Sequence, residues 1–387
     1  MAWMERPSLR ESGRRFVKNK LMILANDETT IYNFRREIIR AFHEHGYEVI
    51  LSLPEGEHTK ELEDCGCKVV NTAVSRHGKN PLHDLQYMQT CRKLIRQYRP
   101  DIVLTYTVKP NIYGSLACQM EKVPYINNVT GLGTILQTDS KLARMILSLQ
   151  KLAYKKSSCV FFQNTANRDA LRQKGVISFL TPTEILPGSG VNLALHSFVP
   201  MRPDDGTVKF IIVSRLRDDK GYREFFEAAE RVKNDHPNTE FHVVGWYEED
   251  EYKKRVEDLT RRGIIIYHGK QVQEEVHKLI ASCDCVVLPS YHEGMANVLL
   301  EGAATGRPII ASNIPGCRES FDEGKSGFAC EVKNADSLIA AMEKLIATPY
   351  MERVKMGECG RKKMEEQFDR SIVAKMYIER IEKIISD

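Results

Sequence analysis

Two glutamates spaced eight residues apart are the first candidates for chemistry in this chain. Glu293 follows an apolar run, residues 285–289, that predicts a buried strand, and Glu301 lies in a segment with the apolar pattern of a helix. Between them, Gly294 lets backbone approach a ligand closely, and the first N–H groups of the predicted helix attract anions. Two carboxylates that accept hydrogen bonds beside an anion site suit a ligand with several hydroxyls and a phosphate. A sugar nucleotide has this composition.

Two cations follow another predicted strand, residues 210–214. Arg215 and Lys220 would lie at the carboxyl edge of a parallel sheet, which is where such sheets bind ligands. Breaking a sugar–phosphate bond places negative charge on the leaving diphosphate, and preorganised cations stabilise that charge. Without these cations a metal would be needed, and no Asp-x-Asp element stands in a suitable place. We therefore expect no metal and no other cofactor.

The segment from Glu293 to Glu301 resembles the E-x(7)-E element of the family 4 retaining glycosyltransferases. Residues 306–319 are similar to the strand and loop that follow it in that family, and the resemblance covers residues 20–385. It implies the GT-B fold, an α/β architecture of two Rossmann-like domains facing across a cleft. The second domain would bind the donor and the first domain the acceptor.

The resemblance also implies roles for single residues. Arg215 and Lys220 would hold the donor diphosphate, Glu293 would bind hydroxyls of the transferred sugar, and Glu301 would accept from the ribose diol. The remaining donor contacts are expected from Gly294, Met295, Ala296, Asn297 and Val298, and from Lys270 in the loop that would bind the base.

The first half contains polar loops after predicted strands. Residues 105–114 and 128–133 look like those of a family 4 subgroup that builds bacterial capsule, O-antigen and protein-linked glycans. The loop after the first strand, residues 26–35, lacks the glycines that many members have there, so its side chains would serve the acceptor instead. The residues expected on the acceptor side or in the cleft are Lys109, Asn111, Gly131, Gly133, Asn33 and Arg35.

Strand and helix patterns alternate twice along the chain, which predicts two doubly wound parallel sheets. The expected organisation is a flexible N-terminal tail (1–18), an acceptor-binding domain (19–198), a linker (199–207), a donor-binding domain (208–367) and a C-terminal helix that crosses back to the first domain (368–387).

Bulk composition and cysteine usage predict a cytoplasmic enzyme. Most of the ten cysteines lie in apolar surroundings, as expected of free thiols in a reducing cytoplasm. Hydrophobic residues make up 42% and charged residues 28% of the chain, and no apolar run approaches the roughly 20 residues needed to cross a bilayer. Basic residues outnumber acidic ones in residues 1–200, whereas acidic residues are in excess in the remainder. A basic, leucine-rich segment, residues 141–156, suits peripheral contact with an anionic membrane at the inner face of the cell membrane, although a core-facing helix with a solvated basic side explains it equally well.

Our functional expectation is transfer of a hexose or N-acetylhexosamine from a UDP-sugar to a glycan acceptor, carried on a polyprenyl diphosphate, in surface polysaccharide biosynthesis. No nucleic-acid partner is expected. Two alternatives stay open at this point, a UDP-sugar 2-epimerase of the same architecture and a nucleotide-sugar-binding protein without catalysis. A dehydrogenase is disfavoured because no G-x-G-x-x-G follows the first strand of either half.

Overall fold

The computed structural model describes residues 19–74, 80–132 and 140–386, and these residues form two parallel sheets with helices between the strands. The predicted architecture, an α/β chain with two Rossmann-like domains, is confirmed.

The first sheet has seven strands in the order β3-β2-β1-β4-β5-β6-β7. Its strands are β1 Lys20–Leu24, β2 Glu48–Leu53, β3 Lys68–Asn71, β4 Ile102–Tyr106, β5 Tyr125–Val129, β6 Cys159–Phe162 and β7 Thr183–Ile185. The helices that accompany them are α1 Glu28–Glu44, α2 Thr59–Asp64, α3 Pro81–Tyr98, α4 Ser115–Glu121, α5 Lys141–Tyr154 and α6 Thr165–Gln173.

The second sheet has six strands in the order β10-β9-β8-β11-β12-β13. Its strands are β8 Val208–Val213, β9 Thr239–Val244, β10 Ile266–Tyr267, β11 Cys285–Leu288, β12 Ile309–Ser312 and β13 Gly327–Cys330. The helices in this part of the chain are α7 Tyr222–Asp235, α8 Glu251–Arg261, α9 Gln273–Ser282, α10 Asn297–Ala304, α11 Ala335–Ala347 and α12 Tyr350–Lys363. They are followed by α13 Arg370–Ser386, which belongs to the first domain.

The central strands are buried on both faces, as parallel strands covered by helices must be. Every residue of β4, β5, β11 and β12 is buried, and these strands carry mostly apolar side chains. Helix α1 begins where the Asp27 side chain accepts a hydrogen bond from the Thr30 N–H, which satisfies one of the open donors of the first turn. This capping brings the start of α1 to the carboxyl edge of the first sheet.

The chain passes between the two sheets twice, and the two passages lie side by side. The Val191 N–H donates to the Phe368 carbonyl over 2.8 Å, and the Arg370 N–H donates to the Val191 carbonyl over 3.1 Å. Gly190 has a φ of +66°, and a Cβ there would lie 2.6 Å from the Cα of Arg370. A side chain at residue 190 would therefore separate the two passages.

The final helix, α13, packs against the first sheet and not against the second. Val373, Tyr377 and Ile381 are buried in the same core as Phe42 and Phe161. The segment 199–207 contains no helix or strand and is bound to the second domain, because Arg307 donates to the Val199 carbonyl over 2.8 Å. The exact domain limits stay a prediction.

Candidate active site

A cavity of about 540 Å³ lies between the first turns of α1 and the carboxyl edge of the second sheet. The ends of β8, β9 and β11 contribute Val213, Val244 and Leu288 to its wall. The predicted site residues that line it are Arg215, Lys220, Lys270, Glu293, Met295, Ala296, Asn297, Val298, Glu301 and Asn33. The structure thus brings ten of the predicted residues, from both domains, to one cavity.

Lys220 and Glu293 form an ion pair in this cavity. The Lys220 Nζ lies 2.5 Å from Glu293 Oε1, and both side chains are largely buried. The turn that carries Lys220 is pressed against the end of β11, because a Cβ on the next residue, Gly221, would lie 2.1 Å from the Pro289 carbonyl oxygen. This contact holds Lys220, which follows β8, beside Glu293, which follows β11.

Arg215 is also paired with a carboxylate. Its Nη1 lies 2.8 Å from Glu248 Oε1, and Glu248 Oε2 lies 3.3 Å from Nη1 of Arg217. Glu248 belongs to the loop between β9 and α8. A bound diphosphate would have to share the Arg215 guanidinium with this carboxylate or displace the carboxylate from it.

Glu301 is buried in the cavity wall beside two histidines. Burial raises the pKa of Glu301 to about 7 and lowers the pKa of His196 to about 4. The His196 Nε2 lies 3.9 Å from Glu301 Oε1, and the His196 ring meets the His277 ring edge-on with 5.6 Å between centroids. His196 is 2% exposed and reaches the cavity from the segment that follows the first passage between the domains.

Gly294 lies where the two domains touch. A Cβ at this position would lie 1.8 Å from the Thr130 carbonyl oxygen, so no larger residue fits without displacing backbone. The Asn164 side chain donates to the Gly294 carbonyl over 2.7 Å. Gly131 faces it, since a Cβ there would be 3.7 Å from the Gly294 nitrogen. These two predicted glycines bring the domains together and are not part of the cavity wall.

The start of α10 presents backbone donors to the cavity. The helix begins after Ala296, whose side chain provides no cap, and the Ala296 N–H itself donates to the Gly316 carbonyl over 2.8 Å. The following N–H groups, at Asn297 and Val298, lie in the cavity wall. Unsatisfied N–H groups at a helix start favour an anionic ligand.

The other predicted residues of the first domain are not in the cavity wall. The Lys109 Nζ lies 2.6 Å from Asp84 Oδ1, Asn111 is buried where its Nδ2 donates to the Asn128 carbonyl, and Gly133 lies outside the described residues. Arg35 is 3% exposed, with its guanidinium 5.0 Å from the centre of the Tyr106 ring. Arg35 and Asn111 are therefore packed inside the first domain and do not line this cavity.

Sequence reasoning missed several residues of the cavity wall, among them His196 and Trp246. Trp246 lies two residues after the end of β9, and a large side chain near the carboxyl end of a parallel strand was the available signal.

Within the described ranges, no group of three or more His, Cys, Asp or Glu side chains is arranged to hold a metal ion. Among the same residues, no helix is both long enough and apolar enough to span a membrane.

Two family models match this chain. The model described as glycosyl transferases group 1 matches residues 198–363, and the model described as glycosyl transferase 4-like matches residues 20–164. The first range covers the second sheet and α7 to α12, and the second range covers β1 to β6 of the first sheet with α1 to α5.

Proteins of known activity are similar over much of the chain. The N,N'-diacetylbacillosaminyl-diphospho-undecaprenol alpha-1,3-N-acetylgalactosaminyltransferase of Campylobacter jejuni is 27% identical over 95% of this chain and 100% of its own length. The UDP-Gal:alpha-D-GlcNAc-diphosphoundecaprenol alpha-1,3-galactosyltransferase of Escherichia coli is 24% identical over 67% of this chain and 70% of its own.

A solved structure shares the fold. Alr3699/HepE of Anabaena, in complex with UDP and glucose, superposes with a TM-score of 0.77 at 18% identity, over 94% of this chain and 100% of that one. The two family models, one on each half of the chain, show that this chain is a glycosyltransferase built from a 4-like and a group 1 domain, and the solved structure shows that its fold is GT-B.

Proposed function

We propose that this glycosyltransferase moves a hexose or N-acetylhexosamine from a UDP-sugar to a glycan acceptor on a polyprenyl diphosphate. One observation carries the proposal: Lys220, Arg215 and the open start of α10 surround the same cavity as Glu293 and Glu301. Cations and N–H donors suit the diphosphate, and carboxylates suit the hydroxyls of ribose and sugar. The Campylobacter jejuni and Escherichia coli relatives, whose names include diphospho-undecaprenol-linked sugars, support the choice of acceptor.

We also propose that transfer retains the anomeric configuration and needs no metal. The bond between the sugar C1 and the β-phosphate oxygen breaks as the acceptor oxygen bonds to C1 on the same face. The acceptor hydroxyl proton passes to the departing phosphate oxygen, so UDP leaves and no protein nucleophile is required. Lys220 and Arg215 stabilise the charge that grows on the diphosphate, the role a metal would otherwise have.

The charge role of Lys220 is tested with Lys220→Met, which keeps an unbranched side chain but removes the ammonium. We expect a fall in kcat of roughly 100-fold or more, the size seen when one electrostatic group is removed from a developing anion. Lys253→Met is the control, because Lys253 is an exposed residue of α8 outside the cavity wall. Equal activity of Lys220→Met and the parent would refute the assignment.

Retention and the metal requirement are tested on the product. With a UDP-α-sugar and a lipid-linked acceptor, the anomeric proton coupling in the NMR spectrum should show an α-linkage, and a chelator should leave the rate unchanged. A β-linked product, or a rate restored only by a divalent cation, would contradict this part. Conversion of UDP-N-acetylglucosamine to its 2-epimer without acceptor would instead favour epimerase chemistry.

We further propose that α5 brings the enzyme to an anionic membrane, where a polyprenyl-linked acceptor resides. Leu142, Met145 and Leu152 are exposed apolar residues of this helix, and Lys141 and Lys151 are exposed beside them. Exposed apolar and basic side chains on one helix are typical of a surface that binds anionic lipid.

A further inference from the structure

Trp246 is held rigidly at the donor cavity. It follows Gly245, whose φ is +150° and whose Cβ, if present, would lie 1.8 Å from the Ser214 carbonyl oxygen, so only glycine fits there. The Gly245 N–H donates to the Gly269 carbonyl over 2.9 Å, and the Trp246 carbonyl accepts from the Leu216 N–H over 2.9 Å. The backbone around Trp246 is thus fixed from two sides, while its side chain lines the cavity and remains 47% exposed.

Two polar side chains accompany the indole in the cavity wall. The Lys270 Nζ lies 5.8 Å from the centre of a Trp246 ring. The Gln271 Nε2 donates to the His268 carbonyl over 2.5 Å. Because a carbonyl can only accept, this bond fixes the orientation of the Gln271 amide and leaves Oε1 as its acceptor. The wall therefore offers a flat aromatic face, an ammonium donor and an amide acceptor.

We propose that Trp246 is the stacking surface for the nucleobase of the donor, and that Lys270 and Gln271 select a base with an imide edge. In such an edge, a carbonyl oxygen adjoins a ring N–H. The oxygen of uracil would accept from Lys270, and its N3–H would donate to Gln271 Oε1. Cytosine and adenine carry an unprotonated ring nitrogen at that position, which would face Oε1 with no proton between them. This inference rests on the proposed function and specifies the base in the same cavity.

Stacking is tested by comparing two ligands, UDP and inorganic pyrophosphate, by titration calorimetry. Trp246→Ala should weaken UDP binding roughly 10-fold, the size of a lost base–aromatic stack. It should leave pyrophosphate binding unchanged, and Trp246→Phe should retain most of the UDP affinity. Val272→Ala, a change at an exposed neighbour outside the cavity wall, is the matched control. Equal weakening of both ligands by Trp246→Ala, or none for UDP, would overturn the stacking role.

Fluorescence gives a direct readout, because the chain has two tryptophans. The other, Trp3, lies outside the described residues. In Trp3→Phe, Trp246 is the sole indole, and UDP should quench its emission with the Kd measured by calorimetry. Emission that does not change at saturating UDP would refute direct stacking.

Selectivity for the edge is tested with UDP, CDP and ADP on the parent and on Gln271→Leu. We expect UDP to bind most tightly to the parent, and Gln271→Leu to remove its advantage over CDP. If UDP binds but CDP binds equally well, edge selection is wrong while the donor site stands. If the parent binds no nucleotide and shows no transfer, the proposed function itself fails.

Discussion

At the scale of single residues, Glu248 pairs with a cation of the donor site, which its position in sequence does not reveal. Its carboxylate lies 2.8 Å from Arg215, one of the two cations assigned to the donor diphosphate. A carboxylate at this place competes with the phosphates for the same guanidinium. Its removal should therefore favour the donor.

We expect Glu248→Gln to tighten UDP binding by up to about 5-fold, because partly exposed ion pairs contribute about 0–1 kcal/mol. The gain should shrink as salt is added, since salt screens partly exposed charges. Glu251→Gln is the control, because Glu251 pairs with Arg223 outside the cavity wall. Weaker UDP binding to Glu248→Gln at low salt would show that Glu248 holds Arg215 in place and does not compete with the donor.

The buried Glu301 makes a second residue-scale prediction, about pH. Its pKa in the folded chain is about 7, above the ordinary value of 4.5, so the folded state binds more protons than the unfolded state between these two values. The free energy of unfolding that Glu301 contributes is present below pH 4.5 and is lost as pH rises through about 7. Glu301→Gln, which cannot ionise, should remove this loss.

The measurement is the difference in unfolding free energy between the parent and Glu301→Gln, taken from pH 5 to pH 8. We expect the unfolding free energy of Glu301→Gln to rise by a few kcal/mol relative to that of the parent over this range, at about 1.36 kcal/mol per unit of pKa shift. The neighbouring His196, whose lowered pKa acts in the opposite direction, is present in both proteins. A difference that does not vary with pH would mean that Glu301 is ionised throughout.

At the scale of elements, the turn between β11 and α10 joins chemistry to domain contact. It carries Glu293 into the cavity and, one residue later, places Gly294 against the Thr130 carbonyl of the other domain. Movement of the first domain against this turn would therefore displace Glu293 and alter the Lys220–Glu293 pair.

Gly294→Ala should lower both thermal stability and kcat, because its Cβ would lie 1.8 Å from backbone that cannot move alone. Gly131→Ala is a matched control across the same contact, since its Cβ would have ordinary van der Waals spacing of 3.7 Å. Thermal melts and initial rates of both variants test the prediction. Parent-like behaviour of Gly294→Ala would show that the domains separate at this point without loss.

The elements that sequence predicted well are those with strong local signals. The amphipathic pattern of residues 31–45 predicts α1, which begins three residues earlier, and the continuous apolar run of residues 285–289 predicts β11. Strands β7 and β13 were not predicted, because β7 has three half-buried residues and β13 begins with glycine. Short, partly exposed strands form because they pair with a neighbouring strand, so their own residues give little signal.

The same distinction applies to the site. Glu293, Asn297 and Glu301 belong to one turn and helix, so their proximity is local and could be predicted. His196 reaches the cavity from a segment distant in sequence and matches no motif, so only the fold reveals it, whereas Trp246 had only the weak signal of a large side chain after a strand.

The burial of Arg35 had a readable signal in the sequence. Arg35 lies four residues after Ile31 and three before Ile38, on the helix face that is buried.

At the scale of the whole molecule, the first domain carries the surface that we assign to membrane contact. The protein should bind vesicles that contain anionic lipid, and more weakly as salt increases. Replacing Leu142, Met145 and Leu152 together by Ser should reduce vesicle binding in flotation assays, because less apolar surface is buried. UDP binding should be unchanged, since α5 does not line the cavity. Full vesicle binding by this variant would place the contact elsewhere.

The first domain also depends on α13. Tyr377 is buried with its ring 4.9 Å from that of Phe161, and its hydroxyl donates to Asn128 Oδ1. Tyr377→Ala should lower the free energy of unfolding by about 3–5 kcal/mol, as expected for removing a large buried aromatic. Chemical denaturation monitored by circular dichroism measures this loss, and Tyr377→Phe, which keeps the ring, should show a smaller one. A loss below 1 kcal/mol would mean that α13 is dispensable for this core.

The dependence of the first domain on α13 affects the order in which the two domains can fold. Residues 370–386 leave the ribosome after residues 19–369, yet they complete the core around Phe42 and Phe161. The second domain can close its own core first, because none of its buried cluster comes from α13. We therefore expect the first domain to be translated to be the last to finish folding, with its apolar surface open to chaperones until then.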